Sequence, residues 1–197
     1  IGTVASELLS ASVLNGKRIF YHASDPRMSA EGYMSCATCH LDGGHDGRIW
    51  DFTGRGEGLR NTISLRGRSG VGHGNVHWSS NFDEIQDFEH DIRNAFGGTG
   101  FLTDEEFALA NDPLGASKAG VDSDLDDLAA YVSSLANESI PKSPHRSANG
   151  IPTPSAAAGA TVFTDLSCNT CHVGDSMQDG VMHDVGTLRT TSGDRLG

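Results

Sequence analysis

The chain has 197 residues and carries 26 acidic against 14 basic side chains, a net charge of −12. That balance excludes a nucleic-acid partner, because phosphates repel an acidic surface, and no stretch approaches the roughly 20 consecutive apolar residues that cross a bilayer. Hydrophobic residues make up 37%, aromatics 7%, and glycine reaches 25. This composition predicts much loop around a lean core, in one domain or two small ones.

In chain order, Leu8, Leu9, Val13, Ile19 and Phe20 form an apolar stripe that predicts a helix over 6–21. A loop segment carrying Met28 and Met34 leads to Cys36-Ala-Thr-Cys39-His40. Asn81 is placed to cap a helix in which Ile85, Phe88, Ile92 and Phe96 recur at near-helical spacing. Thr103-x-x-Glu106 is a capping box that opens a short helix to about residue 110. Asp122 or Asp124 then caps a helix with Leu125, Leu128, Tyr131, Val132 and Leu135 on its apolar face. Pro141, Pro144, Pro152 and Pro154 mark a linker over 139–154. It separates a first domain, 1–138, from a second, 155–197, which opens with an Ala-rich helix over 155–165 and continues into Cys168-Asn-Thr-Cys171-His172. The second unit has no closing helix after its motif, which predicts a domain completed by further chain or by another subunit.

Cys-x-x-Cys-His is the attachment signature of c-type haem. Two thiols one turn apart can add to the two vinyl groups on one porphyrin edge, and the adjacent imidazole then reaches the iron. Zinc ribbons place their cysteine pairs much closer together in sequence, and a thioredoxin-like motif has no need of a histidine after each second cysteine. The reading is two covalent c-type haems anchored by Cys36, Cys39, Cys168 and Cys171, with His40 and His172 as proximal iron ligands. A weak internal repeat agrees: Gly16-x-x-Ile19-Phe20 precedes the first motif, and Gly159-x-x-Val162-Phe163 precedes the second. Such a lean core suits a large apolar cofactor, and haem attachment of this kind predicts an exported, periplasmic or extracellular protein.

Two haem motifs at this separation, with Leu59-Arg60-Asn61-Thr62-Ile63-Ser64-Leu65 and Trp78 between them, resemble the bacterial dihaem cytochrome c peroxidase family and its MauG-like relatives. The resemblance implies an all-α protein of two cytochrome c-like domains, the second incomplete. It implies Trp78 between the haems, a calcium ion contacted by Asn61, a small cytochrome or cupredoxin as redox partner, and peroxide as a substrate. The family's catalytic glutamate, counted from Trp78, falls on Gly98, leaving Glu89 and Arg60 as the nearest catalytic candidates. For the distal face of the first haem His77 is the leading candidate, with His73 and His45 as alternatives; for the second, Met182 and His183 are the nearest. The competing reading is a non-catalytic dihaem electron-transfer module of a larger exported protein.

Overall fold

A computed structural model describes residues 6–55, 58–174, 177–181, 183 and 186. Helix α1 spans Ala11–Tyr21 and starts where Ser10 accepts a hydrogen bond from the Val13 amide. Leu8 and Leu9 therefore precede the helix, and Leu8 is exposed. The first motif forms one turn, α2 (Cys36–Cys39). A two-stranded antiparallel hairpin follows, β1 (Ile49–Phe52) against β2 (Gly58–Asn61), in the register Ile49 to Asn61 and Phe52 to Gly58.

The expected continuous helix from Asn81 is instead a 3-10 turn, Ile85–Phe88, running into α3 (Glu89–Asn94). Its start is held by Asp87, whose carboxylate accepts the Asp83 and Glu84 amides at 3.0 and 3.1 Å. Helix α4 (Asp104–Leu109) opens on the Thr103–Glu106 capping box as expected. Asp122 rather than Asp124 caps α5 (Ser123–Ser134) by accepting from the Leu125 amide. Thr153 caps α6 (Pro154–Asp165), and Pro154 occupies the first helical turn, where its missing N–H costs nothing.

The all-α, two-cytochrome-domain expectation is corrected by this architecture. Among the described residues there are six α-helices, half of them six residues or shorter, together with the hairpin. The physical reason lies between the first motif and His77, where Gly43, Gly47, Gly58, Gly67, Gly70 and Gly74 all take positive φ. No helix can propagate through such positions, so the segment is spent on turns and the hairpin.

The core forms where α1 crosses α5. Ile19, Phe20, Leu125, Leu128, Tyr131 and Val132 are buried there, joined by Ile85 and Ile92 from the α3 region. A Cβ on Gly16 would overlap the Asp127 carbonyl of α5, so the two backbones are in direct contact. Polar ties border the crossing: Asn15 donates to Asp124 and Asp127 at 2.8 and 2.9 Å, and Arg27 reaches both Asp25 and Asp124 at 2.8 Å.

A second layer rests on buried charge. Lys118 and Asp87 are fully buried and paired at 2.7 Å. His90 packs on Phe107, its ring centroid 4.8 Å away, and its Nε2 is buried with no hydrogen-bond partner. Burial, then the nearby Lys118 charge, hold its imidazole below the ordinary histidine range despite Asp87 and Asp91.

Two outcomes are expected. Lys118→Met strands the Asp87 carboxylate in the interior and should cost about 3–5 kcal/mol in urea unfolding, and adding Asp87→Asn, which removes the charge but keeps an acceptor for the Asp83 and Glu84 amides, should recover part of the loss. The His90 ring is more readily protonated when unfolded, so it contributes stability that is full above pH about 6.5 and falls as the pH drops below that value. His90→Gln should therefore lose less stability than the native protein between pH 7.5 and 5.5, measured by chemical denaturation.

Candidate functional site

Both Cys-x-x-Cys-His motifs wind through a single tight turn. The His40 amide donates to the Cys36 carbonyl at 2.9 Å, and the His172 amide to the Cys168 carbonyl at 3.0 Å. In each, the histidine turns Nδ1 toward a carbonyl of the following loop: His40 to Gly44 at 3.4 Å, His172 to Met177 at 3.0 Å. With the proton on Nδ1, Nε2 keeps its lone pair, the tautomer that binds a metal. Burial keeps His40 neutral by holding its pKa below the usual value.

The thiols point the same way. Burial pushes Cys36 up to about 12 and raises Cys39 as well, with Asp46 adding to the effect on Cys39. Both thiols therefore stay protonated at neutral pH. This donor set fits a c-type haem. Among the described residues, Cys171, Asp179 and His183 are the one trio of His, Cys and acidic side chains with converging ligand atoms. Within that trio, His183 Nε2 is already engaged by Asp179 at 2.7 Å.

The loop after the first motif is pinned by Asp46. Its carboxylate accepts the Arg48 amide at 2.9 Å, the Trp50 indole at 2.9 Å and the Thr62 hydroxyl at 2.8 Å. Desolvation opposes ionisation there, yet these bonds outweigh it and lower the carboxyl below its ordinary value. Thus one acid ties both hairpin strands to the turn below His40.

The remaining sequence candidates have defined places. Trp78 donates its indole N–H to the Asn61 carbonyl at 2.9 Å and so clips its loop to β2. The side chain of Asn61 is exposed and outside the ligand trio. Arg60 is buried in β2 and donates to the Leu59 carbonyl at 3.0 Å. Glu89 is fully buried and accepts from Arg93 at 2.8 Å and from the Phe101 and Leu102 amides at 2.9–3.1 Å, so it anchors the loop after α3.

His77 has the most unusual setting of the histidines. It sits at φ +65°, strained for a residue with a Cβ, and its ring lies between Phe82 and Phe88 at 4.3 and 4.8 Å. Nδ1 is 2.9 Å from the Asn81 amide oxygen, and Nε2 is 3.4 Å from Asp91. The sequence reading assigned Asn81 to a helix cap and passed over Asp91; a His-x-x-x-Asn spacing beside a tryptophan was the available signal. His73 contributes its carbonyl to the Gln178 side chain, and the His45 ring accepts the Gly47 amide. Met182 lies outside the described residues.

No family model matches the chain. It is 29% identical over 180 residues to hydrazine synthase subunit gamma of Kuenenia stuttgartiensis, an alignment that takes in 86% of this chain and 47% of that protein. The solved structure of hydrazine synthase from the same organism, pressurised with xenon, superposes with a TM-score of 0.65 at 27% identity. It covers 92% of this chain and 56% of that one. The chain thus spans about half the length of the relatives it matches. These relatives overturn the dihaem peroxidase assignment drawn from Arg60-Asn61-Thr62 and Trp78: both lines of similarity lead to hydrazine synthase. No helix among the described residues is long and apolar enough to cross a membrane.

Asp46→Ala should cost about 1–2 kcal/mol in unfolding and shift the Trp50 fluorescence, since the indole loses its acceptor; Asp46→Asn, which keeps one acceptor oxygen, should lie between.

Proposed function

We propose that this chain is a two-haem electron-transfer portion of a subunit in a hydrazine synthase-like assembly, exported to the periplasm or beyond. One observation carries the reading: both Cys-x-x-Cys-His turns share the same backbone hydrogen bond and the same Nδ1-to-carbonyl anchor, at the two ends of a chain that aligns with a hydrazine synthase subunit. Cys36 and Cys39, and Cys168 and Cys171, would form the thioether links; His40 and His172 would bind iron. When bound, each haem would supply a one-electron carrier. The units are residues 1–138 and 155–197, joined by the exposed proline-containing linker.

The chain's own residues set the conditions for that role. The buried α1–α5 crossing packs against Cys36 and Ala37, and that apolar surface would help to exclude water from a haem held by the first motif. Gly44 and the Asp46 latch fix the His40 ring, and Met177 does the same for His172. His77 is the proposed sixth ligand of the first haem: Asn81 holds Nδ1, and Nε2 would leave Asp91, 3.4 Å away, to reach the iron. Its partners in the assembly would be other subunits, because the relative is by name one subunit of a larger enzyme; the acidic surface would steer a basic redox protein at low salt.

Expression with a c-type haem attachment system should yield two haems per chain by pyridine haemochrome and a mass increase of two porphyrins that survives denaturation. Cys36→Ala with Cys39→Ala should leave one. A chain that takes up zinc and no covalent haem under those conditions would sink the reading. His77→Gly should convert one of the two low-spin signals to high-spin in electron paramagnetic resonance, and an unchanged spectrum removes His77 as a ligand.

A further inference from the structure

Two neighbouring residues in the loop after the second Cys-x-x-Cys-His turn reach in opposite directions. Met177 turns its carbonyl back to His172 Nδ1 at 3.0 Å, and the Gln178 amide donates to the Val173 carbonyl at 3.0 Å, so the backbone here is closed onto the motif. The side chain of Gln178 reaches away from it and donates to the carbonyl of His73, 105 residues earlier in the chain. Gln178 is half-buried there, while Val173, Met177, Asp179 and Val181 around it are exposed.

His73 opens a loop that needs holding. Gly74, His77 and Ser80 sit at φ +95°, +65° and +53°, the left-handed region that costs a residue with a Cβ. Such conformations last only where the surroundings over-determine them. Within the loop the Gly74 amide donates to the Val71 carbonyl at 2.9 Å and the Val76 amide to the Phe82 carbonyl at 2.8 Å. From other parts of the chain, Asn61 accepts from Trp78 and Asp91 lies against His77. Those two ties act at the far end of the loop, and Gln178 acts at its near end. An amide side chain suits the place: it offers donors without charge, so a half-buried carbonyl is bound without an ammonium having to be desolvated.

We propose that Gln178 is a positioning residue, which from the second unit fixes the entry of the loop that presents His77. His172 and His77 are then set by one continuous run of bonds through Met177, Gln178 and His73. That role rests on the reading of both histidines as iron ligands. Its consequence is that the setting of the first site depends on a side chain that belongs to the second.

The test uses the haem-loaded chain and two substitutions of similar size. Gln178→Met fills the same space without a donor, and Gln178→Glu keeps the polarity but at neutral pH has acceptors only. In both, hydrogen–deuterium exchange at the Gly74 and Val76 amides should rise several-fold. The low-spin electron paramagnetic resonance signal that His77→Gly removes should shift or broaden, and the other should stay as it is. Val181→Ala, at an exposed position nearby in the chain, should alter neither. Unchanged exchange in either Gln178 variant overturns the tie, and raised exchange with an unmoved first-haem signal overturns the positioning role. Haem content is read on the same samples by pyridine haemochrome: a chain without two haems fails the electron-transfer reading, whereas the exchange result needs no haem and decides the tie by itself.

Discussion

The close approach of α1 and α5 at Gly16 is the contact on which the rest of the first unit depends. It is close because one residue has no side chain: the Asp127 carbonyl occupies the space a Cβ would take. That proximity drives Phe20 onto Tyr131, with ring centroids 5.0 Å apart in an edge-on arrangement, and leaves Leu125 and Leu128 fully enclosed. With the crossing fixed, the chain leaving α1 must return across its end, which is where the first Cys-x-x-Cys-His turn lies. Gly43, just beyond that turn, is in turn backed by the Leu135 side chain at the end of α5.

A chain of net charge −12 keeps several of its acids at work inside the fold. Asp87 neutralises the buried Lys118, Glu89 gathers two amides and a guanidinium, and Asp46 gathers an amide, an indole and a hydroxyl. In each case a carboxylate organises a segment that has too few apolar residues to order itself. Buried acids of this kind are not idle catalysts in reserve. Their oxygens are already committed, and releasing one would leave unsatisfied donors behind.

The two halves of the chain differ in how far their cofactor turns are supported. The first has helices before and after it and a loop pinned by Asp46. The second has its preceding helix, and its histidine anchored by the Met177 carbonyl. Equal local chemistry at the two motifs therefore sits in unequal tertiary settings, and this asymmetry is consistent with a chain aligned to about half of a longer subunit.

Much was legible from residues alone where the physics is local. The five residues of Cys-x-x-Cys-His set the turn that gathers two thiols and an imidazole, so that turn could be read without any fold. The capping box at Thr103 and the cap at Asp122 were equally local, and α4 and α5 begin there. The Arg60-Asn61-Thr62 and Trp78 motifs were visible too, but their meaning was not: whether an indole faces a cofactor or a carbonyl depends on what lies opposite, and here it is Asn61. The same holds for Asn81, which could cap a helix or hold an imidazole, and holds His77. The hairpin was missed because its strands are four residues each and pair only after glycines have turned the chain. Sequence by itself determined the starts of α4 and α5, since a cap depends on neighbours a few residues apart. Only the tertiary structure decided which polar groups are free, because that depends on partners brought in from distant parts of the chain.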